Sequence, residues 1–430
     1  MTNLPSKDGM TRNRIIAAAK FILVLSIINL HTLRNVSTVL YMSIYVPVVL
    51  MVLVDCLIKR SPRFNAFGLL LMIFWILAMI YGFFISVQFI SLQGGIYGLV
   101  RILFAFPILL ALYAYTNNIN DVKHFSGYAV IFFAIASLSL PLQFLTGPIP
   151  WFPAEAERAG FVRFSSLIGS LTSIGVIVGS YMTLSQKTVK YQYIWLSIIV
   201  VCAVISLSKA AIANIGIALT ILILLNIKSI SKTIITLILV CGSFIALYSS
   251  VDQISNRVNA VLTSFGVSVG NERIINYDYS FRESAFDRLT KLPLDNYNKL
   301  SGLGTNAVYL TGAGFGMAST ALVPEADSLA IMAHNQYAES ITVFGWLIGV
   351  LINILIISFA FIILRKYLRT KERFYLTLFA AYSIFLINSI FANGTIYQPS
   401  SATIFYIAMF VACSTDGRSY KNLHYSNKYR

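Results

Sequence analysis

The sequence predicts an all-α polytopic integral membrane protein, and three observations lead to this fold class. Hydrophobic residues make up 57% of the 430 residues and charged residues only 11%, whereas an ordinary soluble domain has about 25% charged residues. The apolar residues gather in runs of roughly 20, the length that a helix needs to cross a bilayer. The basic residues gather between alternate runs, as they do in membrane proteins. A soluble globular enzyme and a disordered chain are therefore excluded.

Twelve apolar segments are candidate spanning helices. The stretch 189–226 is counted as two of them, because a single helix of that length would overrun a bilayer of about 30 Å. The twelve predicted spans are 15–33, 36–58, 66–90, 96–115, 124–146, 167–185, 191–208, 209–226, 232–250, 338–364, 374–392 and 399–414.

The distribution of Lys and Arg sets the orientation. With the N-terminus in the cytoplasm, every short segment on the inner side carries Lys or Arg, whereas the short outer segments 91–95 and 393–398 carry none. Most of the outer basic residues lie in one long loop, which the positive-inside rule does not count. The net charge of +16 is therefore mainly a signal of topology, and a nucleic-acid partner is excluded.

This topology divides the chain into four parts. Residues 1–250 form an N-terminal bundle of about nine spans, 251–337 a long outer loop, 338–414 three further spans and 415–430 a cytoplasmic tail. Within the long loop, 272–292 has apolar residues at three- and four-residue steps, which predicts an amphipathic helix. Long ordered loops on a rigid scaffold are usually functional, so the chemistry is expected at the outer face.

Several cations and one histidine are predicted to meet at that face. His334 follows the long loop and opens a helix, where it could accept a proton from a hydroxyl. Arg158, Arg163 and Arg282 suit the recognition of phosphate, and Lys209 lies in a very short outer hairpin. Structural interpretations stay open at this point: an interfacial His is more often a structural hydrogen-bonding residue, and each Arg could pair with a nearby carboxylate.

The remaining signals are weaker. The glycines in 302–316 lack the spacing of a dinucleotide fingerprint or a P-loop, and they predict a tight turn or a backbone phosphate cradle. Asn335, Tyr337 and Glu339 follow His334 on the first turns of its predicted helix. The four cysteines lie in apolar runs without CxxC spacing, so no metal site is predicted.

Four stretches resemble the O-antigen polymerase and O-antigen ligase superfamily of polytopic bacterial glycosyltransferases. They are RAGFVR at 158–163, SLSKA at 206–210, FRESAF at 281–286, and GAGFG at 312–316 followed by HN at 334–335 and GWLIG at 345–349. Two features depart from the family pattern, since Lys209 stands where the family usually has Arg and the stretch between Arg282 and Gly312 is unusually long.

The resemblance implies a GT-C-like fold in the bacterial inner membrane and a metal-independent, inverting glycosyl transfer without a cofactor at the periplasmic face. The implied donor is an oligosaccharide on undecaprenyl pyrophosphate. In a polymerase the acceptor is a sugar hydroxyl of another lipid-linked repeat unit, and a chain-length-regulating membrane protein is a candidate partner. His334 would activate that hydroxyl, and the residues after it, Asn335, Tyr337 and Glu339, would bind sugar or support the helix. Arg282, with Arg163, Arg158 or Lys209, would hold the departing pyrophosphate.

Two alternatives accompany this interpretation. A ligase shares the donor and the chemistry but transfers polysaccharide to lipid A–core. A flippase or other transporter of lipid-linked oligosaccharide would carry charged residues along mid-membrane helices. The predicted spans contain few acidic residues, Asp55 at an inner end and Glu339 at an outer end, so the transporter is disfavoured.

Overall fold

The fold is that of a bundle of apolar helices, and it is described here from a computed structural model of the protein. The structure describes residues 7–30, 33, 36–59, 64–89, 92–149, 154–158, 161–164, 166–167, 175–206, 208–225, 308–315, 335–391 and 395–414, with isolated positions between 238 and 259. Several predicted segments therefore lie outside the described residues: the amphipathic helix 272–292, most of the long loop and the tail 415–430. Of the predicted span 232–250, only isolated positions are described.

Fourteen α-helices are named here in chain order within the described ranges. They are α1 (Lys7–Asn29), α2 (Thr38–Ile58), α3 (Ala66–Phe89), α4 (Leu92–Leu103), α5 (Pro107–Tyr115), α6 (Ile119–Ser137), α7 (Ser139–Thr146), α8 (Met182–Thr188), α9 (Gln192–Ile205), α10 (Lys209–Leu225), α11 (Val308–Thr311), α12 (Gln336–Thr370), α13 (Arg373–Phe391) and α14 (Pro399–Cys413). A π-helical turn, Ile177–Tyr181, leads directly into α8.

Six helical stretches in the described part of the chain are long and apolar enough to cross a membrane. They are Thr38–Ile58, Ala66–Gln88, Leu92–Tyr115, Ile119–Thr146, Gln336–Thr370 and Arg373–Ile390. Shorter apolar helices include Gln192–Ile205 and Pro399–Cys413. The transmembrane character that the composition predicts is thus supported, and the stretch 189–226 is divided into α9 and α10 as expected.

Two predicted spans are interrupted, and one predicted loop contains strands. The span 96–115 breaks before Pro107, which opens α5 and has no amide to continue a helix. The span 124–146 breaks at Leu138, between α6 and α7. In the outer loop 147–166, strands β1 (Ala154–Arg158) and β2 (Phe161–Phe164) pair antiparallel, with Glu155 opposite Arg163.

Helix α14 occupies the centre of the bundle. All 15 of its residues are buried, as expected of a helix that is apolar on every side. Helices α3, α5, α12 and α13 pack around it. At the periphery, α2 leaves large apolar side chains such as Val39 and Leu57 more than four-fifths exposed, which suits a surface that faces lipid rather than water.

One end of the bundle, called the basic face here, is held together by two partly buried cations, Lys20 and Lys59. The Lys59 ammonium group donates to the carbonyl oxygens of Ala114 and Thr116, both at 2.7 Å, where a positive charge balances the carbonyl end of α5. Lys20 forms an ion pair with Asp55 at 2.7 Å, and the Tyr115 hydroxyl donates to the same carboxylate. Helices α12 and α14 run from the basic face to the opposite end of the bundle, where the candidate site lies.

Candidate functional site

The site is organised around a break in helix α12. Gly345 adopts φ 78° and ψ 171°, which an L-residue with a side chain rarely reaches. The break separates a short N-terminal segment, residues 336–344, from the rest of the helix; this segment is called the half-helix. The half-helix begins at Gln336 and its N-cap is Asn335, which follows His334 in the sequence.

A tight turn docks into the break. The Ala313 amide donates to the carbonyl of Thr342 at 2.9 Å, and the Gly314 amide donates to the carbonyl of Val343 at 3.0 Å. In an unbroken helix these carbonyls would accept from amides four residues later. The turn therefore supplies the donors that the break removes, which is the condition for irregular backbone inside a membrane protein. Gly312 and Gly314 have φ values of 81° and 79°, so glycine is required at both places.

Phe315 anchors this turn between three helices. Its amide donates to the Ser86 hydroxyl of α3 at 2.6 Å, and its ring meets Phe344 edge-on at a centroid distance of 5.6 Å. Gly82 and Gly98 form the slot, since a Cβ atom at either position would collide with the Phe315 side chain. The turn is thus fixed to α3, α4 and the half-helix together.

The first turn of the half-helix is capped and tied to its neighbours. The Asn335 side-chain oxygen accepts from the amides of Tyr337 at 2.9 Å and Ala338 at 3.2 Å, the usual N-cap arrangement. The buried Gln336 amide oxygen accepts from the Thr395 hydroxyl and the Ile396 amide, both at 3.4 Å. These bonds link the start of α12 to the turn 395–398 that precedes α14.

A half-open cleft lies beside the half-helix and is called the Arg101 cleft. Its volume is about 10 Å³, room for about one water molecule. The residues that line it are Gly94, Gly98, Arg101, Ile102, Phe315, Glu339, Val343 and Tyr397. Arg101 is partly exposed, whereas Glu339 and Tyr397 are 2% and 3% exposed. The Arg101 guanidinium carbon lies 6.0 Å from the centre of the Tyr397 ring, within the range of a cation–π contact.

The charge environment of the cleft acts on the Tyr397 phenol. Burial raises its pKa well above the usual value of 10, the Glu339 carboxylate raises it further, and the Arg101 guanidinium acts in the opposite direction. The phenol is therefore protonated throughout the physiological range and can donate a hydrogen bond. The cleft brings together a guanidinium donor, a carboxylate acceptor and a phenol, next to the apolar surface of Phe315 and the glycines.

The residues predicted from the sequence fall into three groups. His334 and Arg282 lie outside the described residues. Arg158 ends β1, Arg163 lies in β2 and Lys209 begins α10; the structure describes their backbone positions. Asn335, Tyr337 and Glu339 are described in full.

The three fully described residues have different surroundings. Asn335 caps the half-helix. The Tyr337 hydroxyl donates to the carbonyl of Leu386 on α13 at 3.0 Å. Glu339 lines the Arg101 cleft. The contacts of Asn335 and Tyr337 support the helix, and Glu339 is buried at the wall of the cleft, 2% exposed.

Sequence reasoning did not assign Arg101, Phe315 or Tyr397 to a site. The sequence does carry a signal for Arg101, because a charged residue inside an apolar span usually faces protein or a polar cavity. Tyr397 gave no comparable signal, since tyrosines are common at membrane interfaces. No protein-family model matches the chain, and no curated protein is similar to it; the family resemblance thus rests on the four short motifs alone.

Proposed function

We propose that the protein is a polymerase of surface-polysaccharide repeat units in the bacterial inner membrane. It transfers an oligosaccharide from undecaprenyl pyrophosphate to a sugar hydroxyl of another lipid-linked repeat unit at the periplasmic face. In this proposal the chain crosses the membrane about twelve times in a GT-C-like arrangement, and a chain-length-regulating membrane protein is a candidate partner.

The observation that carries the proposal is the broken helix α12. The half-helix begins two residues after His334 in the sequence, and its cap and side-chain network fix its start. It borders a polar cleft at the end of the bundle opposite the basic face. Broken helices of this kind often build binding sites in membrane proteins, because irregular backbone is tolerated where it lines a protein cavity. A histidine at such a helix start suits proton transfer to or from a bound hydroxyl.

The proposed reaction is a single displacement at the anomeric carbon. The acceptor oxygen attacks that carbon as the bond to the pyrophosphate oxygen breaks, and the electron pair leaves with the undecaprenyl pyrophosphate. His334 takes the hydroxyl proton. Arg282, with Arg163, Arg158 or Lys209, balances the charge that develops on the leaving group, a role that fixed guanidinium donors can fill without a metal.

Replacement of His334 tests the proposal in cells. A strain carrying His334→Ala is compared with one carrying His124→Ala, since His124 is exposed near the start of α6. Loss of a general base costs about a hundredfold to ten-thousandfold in rate, so His334→Ala at equal protein level should leave lipid A–core bearing single repeat units. The His124→Ala strain should make long chains.

Two results would contradict the polymerase. Normal long-chain polysaccharide in the His334→Ala strain would remove His334 from the mechanism. Accumulation of a lipid-linked polymer that is not joined to lipid A–core would replace the polymerase with the ligase, since only the acceptor differs between the two.

A further inference from the structure

The exposed side of helix α12 changes from apolar to basic near its C-terminal end. Arg365 and Arg369 are exposed, and they continue an exposed apolar stripe at steps of four residues after Phe361. Acyl chains suit the apolar part of such a surface and anionic headgroups suit its basic end. The large apolar side chains of the stripe are Leu347, Val350, Leu351, Ile354, Ile357 and Phe361.

The length of the apolar stripe relates its basic end to the thickness of a bilayer. Helix α12 is one of the helices long and apolar enough to cross a membrane. From Leu347 to Arg365 the helix rises about 27 Å at about 1.5 Å per residue, close to the hydrocarbon thickness of about 30 Å. Arg369 lies about 6 Å farther along the axis. A stripe of this length fills the hydrocarbon layer, so the two guanidinium groups reach the depth of the lipid phosphates.

The turn between α12 and α13 adds two exposed cations. Lys371 caps α12 in a left-handed conformation with φ 56°, and its ammonium nitrogen lies 5.8 Å from the centre of the Tyr367 ring. Arg373 opens α13, and both residues are exposed. These two cations and the two arginines of α12 are called the α12 cluster here. Glu372 is the acidic residue within the segment 365–373, so the segment is strongly basic.

The α12 cluster differs from neighbouring cations that protein groups engage. Lys20 forms the ion pair described above, Lys59 donates to carbonyl oxygens at the end of α5, and Lys366 donates to the carbonyl of Ser414. Among the described residues no ion pair involves a member of the α12 cluster. The tail 415–430 has four basic residues and one acidic residue, so as a whole it adds positive charge. An anion from outside the chain is therefore the natural counter-charge.

We propose that the α12 cluster binds the phosphate group of an anionic phospholipid while the apolar stripe contacts its acyl chains. Arg365 and Arg369 are four residues apart on one helix, which places their Cβ atoms about 5 to 6 Å from each other. Both guanidinium groups can therefore donate to the oxygens of one phosphate. Lys371 and Arg373 add positive charge beside this pair. The proposal concerns the lipid around the protein and is independent of the reaction proposed above.

Native mass spectrometry of the purified protein in detergent measures lipid binding directly. The probes are phosphatidylglycerol and phosphatidylcholine with identical acyl chains, and millimolar inorganic phosphate is added as a competitor to separate a lipid from a free anion. The test variant combines Arg365→Gln with Arg369→Gln. The matched control combines Arg14→Gln with Lys190→Gln, which removes the same charge from two other exposed positions that are predicted to lie at the same side of the membrane.

The expected result is selective for the anionic lipid and for this position. The unmodified protein should bind phosphatidylglycerol at least about tenfold more tightly than phosphatidylcholine. The test variant should bind phosphatidylglycerol about thirtyfold more weakly, the usual loss for two basic residues at an anionic surface. The control variant should stay within about threefold of the unmodified protein, and inorganic phosphate should leave the bound lipid in place.

Four outcomes would overturn the lipid site: no preference for phosphatidylglycerol, unchanged binding in the test variant, an equal loss in the control variant, or displacement of the lipid by inorganic phosphate. Because both arginines are exposed and form no ion pair among the described residues, the test variant should fold normally, and equal thermal unfolding in lipid-free detergent verifies this. If it unfolds earlier, the single variant Arg369→Gln replaces it, with an expected loss of about fivefold; unchanged binding in that variant would overturn the site equally.

Discussion

Substitution of Gly345 by alanine should undock the glycine-rich turn from helix α12. An alanine at φ 78° and ψ 171° occupies a backbone region that is essentially restricted to glycine, at a cost of about 1 to 3 kcal/mol. Its Cβ would lie 2.8 Å from the Gly312 amide nitrogen and closer still to the Leu310 carbonyl. Overpacking of this kind costs a further 1 to 3 kcal/mol or so. The sum is about 2 to 6 kcal/mol, roughly a thirtyfold to twenty-thousandfold change in the ratio of docked to undocked turn.

The substitution also favours a continuous α12. Alanine is better than glycine inside a helix by about 1 kcal/mol, and a straight helix would reclaim the carbonyls of Thr342 and Val343 for its own amides. Those carbonyls now accept from Ala313 and Gly314. The turn would then lose both backbone bonds at once, and its amides would become open to solvent.

Hydrogen exchange followed by mass spectrometry measures this effect directly. In Gly345→Ala, peptides that cover residues 312–315 should exchange at least about thirtyfold faster, and polymer synthesis should fall. Gly216→Ala is the control, because no atom lies within 4 Å of a Cβ built at Gly216, and its exchange should match the unmodified protein. Unchanged protection of 312–315 in Gly345→Ala, with normal polymer, would refute the account of the break.

Three further predictions concern other parts of the molecule. Asn335→Ala removes the cap that orients the half-helix, which costs about 1 kcal/mol, so turnover by the purified enzyme should fall. Asn335→Asp keeps a capping oxygen and should restore turnover. An equal loss of turnover in both variants would show that capping is not the cause. Lys20→Met breaks the ion pair with Asp55, whose side chains are 33% and 22% exposed, and should lower the unfolding temperature. The double variant Lys20→Met with Asp55→Leu should recover most of this loss. Losses that simply add would argue against coupling between the two residues. Arg282→Gln should slow transfer about a hundredfold, the usual effect of removing one fixed donor to developing charge, and a rate within a few-fold of the unmodified enzyme would exclude Arg282 from the leaving-group site.

Local patterns predicted the six long apolar helices found in the described part of the chain, because apolar composition and span length act within each segment. The division of 189–226 into α9 and α10 followed from bilayer thickness alone. The breaks before Pro107 and at Leu138 were missed because both lie in uninterrupted apolar runs, and the length of each run was compatible with one span. The hairpin 154–164 was missed because two strands of five and four residues carry too short an alternation to distinguish them from a loop.

The break at Gly345 illustrates what a single sequence cannot supply. Glycine is frequent in membrane helices, and the apolar pattern of α12 continues on both sides of it. Whether the helix bends there depends on donors from Ala313 and Gly314, some thirty residues earlier in the chain. The same holds for the Arg101 cleft, since Tyr397 joins Arg101 only through the packing of α14 against the other helices.

Turnover of a defined substrate by the purified protein tests the central claim most directly. The protein is reconstituted in nanodiscs with a single synthetic undecaprenyl-pyrophosphate-linked repeat unit, and the products are separated by chain length. The account predicts a ladder of lengthening glycans, one undecaprenyl pyrophosphate released per linkage formed, and loss of both in His334→Ala. Absence of any ladder, or a ladder that His334→Ala leaves intact, would contradict it.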